Sequence, residues 1–138
     1  ELFPEKFNSF EIFTESNDSY FSSSELDYGV LFTRMYKNKE NNRIQVNVVF
    51  EDSSVQEYIR TINDPKRVKN LGNAKVITLQ EKYKALEKFF EEDAYLERNI
   101  VLNQTLLVNI ITTGVADTTV LDAFINTIKL NELTNYLQ

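Results

Sequence analysis

Two pairs of alternating apolar segments, with one amphipathic segment between them and another near the carboxyl end, predict an α+β fold. The expected architecture is an antiparallel β-sheet built from two hairpins plus a short strand, with two or three helices packed on it. A chain of 138 residues, 42% of them hydrophobic, buries enough surface for one domain without disulfides or metals. Seven Tyr and ten Phe against one Met and no Trp make aromatic packing the expected core chemistry.

The amino-terminal segment differs in character from the rest of the chain. Residues 1–27 hold seven acids against Lys6 alone, a net charge of −6, whereas residues 28–138 hold fourteen acids and fourteen bases. This divides the chain into an acidic, aromatic arm (1–27) and a neutral α+β domain (28–138). The spacing of Phe3, Phe7 and Phe10 suits one face of a short helix, and a strand over Phe10–Thr14 is the alternative. The aromatics either dock on the domain or form an interaction surface for a partner, with Phe3, Phe7, Phe10 and Phe13 as the candidate residues.

Beyond the arm, Tyr28, Val30, Phe32 and Tyr36 alternate with other residues, the polar run from Lys37 to Arg43 turns the chain, and Ile44, Val46, Val48 and Phe50 alternate again. That pattern is a long hairpin. Ser53 and Gln56 have capping-box spacing ahead of Val55, Tyr58, Ile59 and Ile62, which predicts a helix of about three turns. Asp64-Pro65 ends it, Lys66-Arg67-Val68-Lys69 reads as a solvated basic loop, and Gly72-Asn73 leads into a short strand at Ala74–Leu79. Residues 80–94 fit either periodicity. Their Gln, Glu, Lys, Ala and Leu content, and the Lys88–Glu92 spacing, favour a helix.

Leu96–Leu102 and Leu106–Thr112 flank Asn103-Gln104-Thr105 as a second hairpin, apolar on both faces and therefore central. Asp117 caps a helix carrying Val120, Leu121, Phe124, Ile125 and Ile128, and a last turn spans Asn131 to Leu137. Because Gly and Pro total five, Asn takes over the turns at Asn41-Asn42, Asn63, Asn70, Asn73 and Asn103. Over residues 28–137 this element order is similar in outline to the small α/β/α sandwiches of the Mog1/PsbP-like type. The resemblance includes no diagnostic motif and assigns no functional residue.

The chain has neither Cys nor His, which removes thiol nucleophiles, imidazole bases and the usual zinc and haem ligands. No cofactor and no metal site is expected. Glycines at 29, 72 and 114 alone form no phosphate-cradling loop and no Gly-x-Ser-x-Gly elbow. The strand-to-helix junction with Thr112, Thr113, Gly114, Thr118 and Thr119 could offer main-chain donors to an anion, but ordinary capping by Asp117 explains it better. Carboxylate pairs at Glu25 with Asp27, Glu51 with Asp52, and Glu91-Glu92-Asp93 fall in expected turns, where acids are usually solvated. No catalytic residue is assigned.

The chain therefore reads as a non-enzymatic protein-interaction or structural module. A small-molecule domain is the alternative, with an apolar pocket between the sheet and the last helix lined by Tyr28, Tyr36 and Tyr58. A carboxylate-dependent hydrolase is a third reading. The balanced charge of residues 28–138 disfavours nucleic acid, and no run of about 18 apolar residues spans a membrane. The start at Glu1 rather than Met fits the processed, mature part of an exported bacterial protein, in the periplasm or at the cell surface. A lipid tether upstream of Glu1 would belong to that reading.

Overall fold

The computed structural model describes residues 3–12, 19–20, 30–50, 53–115 and 117–136. The strands are β1 (Lys6–Phe7), β2 (Phe10–Ile12), β3 (Ser19–Tyr20), β4 (Val30–Lys37), β5 (Arg43–Phe50), β6 (Ala74–Leu79), β7 (Tyr83–Phe90), β8 (Tyr95–Val101) and β9 (Leu106–Thr113). They form one sheet in the order β1-β2-β4-β5-β9-β8-β7-β6, with β3 also paired to β4. All the pairings are antiparallel. The helices are α1 (Ser53–Ile62), α2 (Pro65–Leu71), α3 (Thr118–Ile125) and α4 (Leu130–Tyr136). The α+β class holds, with a sheet larger than two hairpins and a short strand.

Register decides which residues share a face. Val46 lies opposite Ile110, Val108 opposite Ile100, and Ile100 opposite Ala85, so these side chains point to one side of the sheet. There they meet Leu121, Phe124 and Ile125 of α3 and Leu130 and Leu133 of α4 in the main core. Phe124 is at its centre, with edge-to-face contacts to Tyr36 and Phe7 at ring separations of 5.3 Å. On the opposite face Val55, Tyr58 and Ile59 of α1 cover Val49, Leu107 and Val101.

Residues 3–12 belong to the main core. Phe3, Phe7 and Phe10 are buried, Phe3 stacks on Phe32 at 5.2 Å, and β2 pairs with β4. Of the two readings for these aromatics, docking on the domain is the one the geometry matches for Phe3, Phe7 and Phe10. A short hairpin rather than a helix delivers them, turning at Asn8 with φ 51°. Tyr36 donates its hydroxyl hydrogen to Pro4 O at 2.5 Å, and Arg34 Nη1 donates to Pro4 O at 3.2 Å. Phe13 lies outside the described residues, as do Glu25, Asp27, Tyr28, Glu51 and Asp52.

Two local expectations are corrected. Residues 83–90 are strand β7, not helix, followed by a 3-10 turn at Glu91–Asp93. The helix-forming composition is overridden because β7 lies between β6 and β8 and buries Ala85, Leu86 and Glu87 on both faces. Residues 66–69 are helical, because Asp64-Pro65 both ends α1 and starts α2. Asp64 accepts from Lys66 N at 3.0 Å and Pro65 occupies the first turn, where its missing N–H costs nothing. Gln56 Nε2 donates to Gln104 O at 2.5 Å, which ties α1 to the turn between β8 and β9.

Phe7 provides a direct check on the docked segment. Phe7→Ala should destabilise the fold by about 3–5 kcal/mol, since it removes a buried ring in contact with Phe124. Chemical denaturation measures this loss, and a change near zero would mean that the segment is not part of the core.

Candidate functional site

The face carrying α1 and α2 is built from polar residues in a way the other is not. Thr33, Asn47, Asn109 and Asn99 lie directly opposite one another on β4, β5, β9 and β8. Thr33 Oγ1 donates to Asn47 Oδ1, Asn47 Nδ2 to Asn109 Oδ1 at 2.9 Å, and Asn109 Nδ2 to Asn99 Oδ1 at 2.7 Å. Asn99 Nδ2 then donates to Glu97 Oε2 at 2.6 Å. Each amide donates toward the next, and the chain of donors ends on a carboxylate. The shared direction polarises every link in the same sense.

Glu97 in turn acts on two phenols. Tyr95 donates its hydroxyl hydrogen to Glu97 Oε1 at 2.5 Å, and the Tyr58 phenol lies within the field of this carboxylate. Burial foremost, and then the negative charge of Glu97, push the Tyr58 phenol up to about 12. Burial and the Glu97 hydrogen bond raise that of Tyr95 as well. The ladder thus ends beside Tyr58, a residue of α1 that packs against Val101 of β8.

Beside Tyr58 lies an open groove of about 790 Å³ between α1, α2 and β7. Tyr58, Leu71 and Leu86 form its apolar lining, and Arg60, Arg67 and Lys88 bring positive charge to it. Lys88 Nζ lies 5.5 Å from the centre of the Tyr58 ring, a cation–π contact. Glu57 bridges the arginines, accepting from Arg60 Nη2 at 2.6 Å and from Arg67 Nη1 at 2.8 Å. The Arg60 hydrogen bond leads the causes that hold the Glu57 carboxyl below its ordinary value. Leu71 is 43% exposed and Val76 of the adjoining β6 is 38% exposed, so the apolar floor continues to the sheet edge.

The surrounding charge is asymmetric. Residues 53–90, which make α1, α2, β6 and β7, hold eight bases and four acids, a net charge of +4. The other residues of the chain hold seven bases and seventeen acids, a net charge of −10. The neutrality of residues 28–138 is therefore an average over regions of opposite sign.

The remaining residues singled out from the sequence lie elsewhere. Between the sheet and α3–α4, where an apolar pocket was expected, Tyr36 and Phe124 are fully buried in close packing. Of the three tyrosines named for that pocket, Tyr58 lines the groove on the opposite face. At the strand-to-helix junction Asp117 accepts from Thr119 N at 2.8 Å and Thr112 Oγ1 donates to Val115 O at 2.8 Å, which is ordinary capping. Glu91 and Glu92 are exposed in their turn. The buried acid is instead Glu87, which accepts from Arg98 Nε at 3.0 Å, while Arg98 Nη1 donates to Asp122 on α3. This network ties β7 and β8 to α3. Among the described residues no group of three or more Asp or Glu side chains is arranged to hold a metal ion.

The raised phenols set a pH dependence. The unfolded chain loses its Tyr58 proton near pH 10.0, and the folded chain holds it to about 12. This contribution to stability is therefore complete below pH 10.0 and lost as pH rises toward 12. In an ultraviolet phenolate titration, Glu97→Gln should lower the late-ionising phenols without returning them fully to the ordinary tyrosine value, because burial remains. An unchanged titration would mean that Glu97 does not hold them. No family model matches the chain, and no curated protein or solved structure matches it either, so a functional reading starts from the groove and its charge.

Proposed function

We propose that this chain is a non-enzymatic protein-interaction module and that it engages its partner at the α1–α2–β7 groove. One observation carries the reading: an open groove with an apolar floor and a cationic rim, continuous with exposed Leu71 and Val76. Apolar anchors ringed by charge are the common anatomy of protein interfaces. The Mog1/PsbP-like outline belongs to the same proposal: helices on both faces of an antiparallel sheet are compatible with it. No helix among the described residues is long and apolar enough to cross a membrane.

The groove volume of about 790 Å³ also suits a small organic ligand, which is the second reading. Its open form favours a protein, because small-molecule sites enclose most of the ligand surface.

Site-specific photocrosslinking separates the two. A photoreactive residue placed at Leu71 in the full chain should yield a protease-sensitive adduct in cells of the source organism, and one at Glu40 in the β4–β5 turn should not. Adducts from position 40 alone would move the interface away from the groove. A small molecule co-purifying with the intact chain, and displaced by substitution at Leu71, would favour the second reading.

A further inference from the structure

The groove residues Leu86 and Lys88 are paired with Val76 and Ala74 of β6, a terminal strand in the sheet order. Among the described residues β6 pairs with β7 alone. Phe89 N donates to Asn73 O at 3.1 Å. Given the alternation of an antiparallel ladder, this turns the main-chain N–H and C=O groups of Ala74, Val76 and Thr78 toward the open edge. The strand, Ala-Lys-Val-Ile-Thr-Leu, contains no Pro and no Gly and its pairing with β7 runs in continuous register. Protective features are therefore few. The one charged residue on it, Lys75, projects on the α3–α4 face, with Nζ 3.9 Å from Glu87 Oε1.

On the α1–α2 face, Val76 is the outer neighbour of Leu86, which lines the groove. A strand added beyond β6 would run along the groove mouth, its alternate side chains turned to the helix side. The charge at the groove selects the occupant, because Arg60, Arg67 and Lys88 line it against Glu57 as its one acid. Glu57 already shows the local chemistry: its carboxylate is gripped by Arg60 at 2.6 Å and Arg67 at 2.8 Å. Pairing two copies of β6 across a twofold axis would instead bring two such positive regions together, which disfavours a second copy.

We infer that the free edge of β6 takes an acidic, extended peptide segment of a partner protein as an added strand, its carboxylates meeting the cations of α1 and α2. This deepens the reading of the groove as a protein-binding site and rests on it. Main-chain hydrogen bonds to Ala74, Val76 and Thr78 would supply affinity in any sequence. The groove cations would supply the preference for alternating acids.

The test uses the full chain, isotopically labelled for NMR, and a peptide of about eight residues alternating Glu with Val or Thr, the length of a typical strand. Controls are the same peptide with Lys in place of Glu, and a single-stranded oligonucleotide of equal charge. The acidic peptide should shift the amides of β6 and slow hydrogen exchange at Val76 and Thr78 about tenfold or more, while the Lys peptide binds at least about tenfold more weakly. Raising salt from about 50 to about 500 mM should weaken acidic-peptide binding severalfold.

Val76→Pro removes one outward N–H without touching the ladder to β7, and should cost about tenfold in affinity. Arg67→Glu with Lys69→Glu should cost as much while leaving every main-chain donor in place. If the acidic peptide binds but Val76 and Thr78 stay unprotected, strand addition is wrong and the groove reading stands. Tighter binding of the oligonucleotide than of the peptide overturns the inference in favour of nucleic acid. Absence of peptide binding overturns it too, and the crosslink from Leu71 then judges the groove independently.

Discussion

The hydrogen-bonded row Thr33–Asn47–Asn109–Asn99, ending on Glu97, is the constraint on which the rest of this structure depends. Apolar residues alone specify poorly the register of strands covered on both faces, since most shifts still bury something greasy. A one-residue slip here would send the amides of Asn47, Asn109 and Asn99 to the face packed against Phe124 and Leu121. Each amide would then lie among apolar groups without its partner, at about 1–3 kcal/mol apiece. The row therefore selects one register for β4, β5, β9 and β8. It ends on Glu97 beside Tyr58 of α1, and α1 itself is placed over the sheet by the packing of Val55, Tyr58 and Ile59 on Val49, Leu107 and Val101.

That placement gives the molecule its polarity. With α1 fixed on β8 and α2 continuing into β6, most of the excess basic residues collect at one end of the sheet. The acidic excess lies elsewhere in the chain. Partners approaching such a molecule are oriented by the field before contact, and a negatively charged segment is drawn to the α1–α2 end. The Glu87–Arg98–Asp122 network on the other face performs a complementary task by holding β7, the floor of the groove, against α3. Both faces thus use buried polar groups to position the same end of the sheet.

Much of the fold was legible in the sequence, and the parts that were not have specific causes. β4, β5, β8 and β9 are readable because their apolar alternation or two-sided apolar runs have no competing helical period. β7 is not, because Glu81 to Glu92 is rich in helix formers and its strand state comes from pairing with β6 and β8 on either side. α2 is hidden because Asp64-Pro65 signals an end and a beginning with the same residues. The burial of Phe3, Phe7 and Phe10 was one of two open readings, and only pairing with β4 decides it. Of the site, Tyr58 was a candidate but on the wrong face, since which face a residue meets depends on strand register. Arg60, Arg67, Leu71 and Lys88 were missed as a group. The available signals were the basic run Lys66-Arg67-Val68-Lys69, read as a solvated loop, and the base-rich window 53–90, which averaging over residues 28–138 conceals.

Partner binding at this basic end, rather than at the acidic remainder, is tested most directly by hydrogen–deuterium exchange of the full chain, with and without the partner captured from Leu71. Protection concentrated within residues 53–90 is the predicted result. Protection confined to residues 3–50 or 106–136, with 53–90 exchanging as in the free chain, would contradict it.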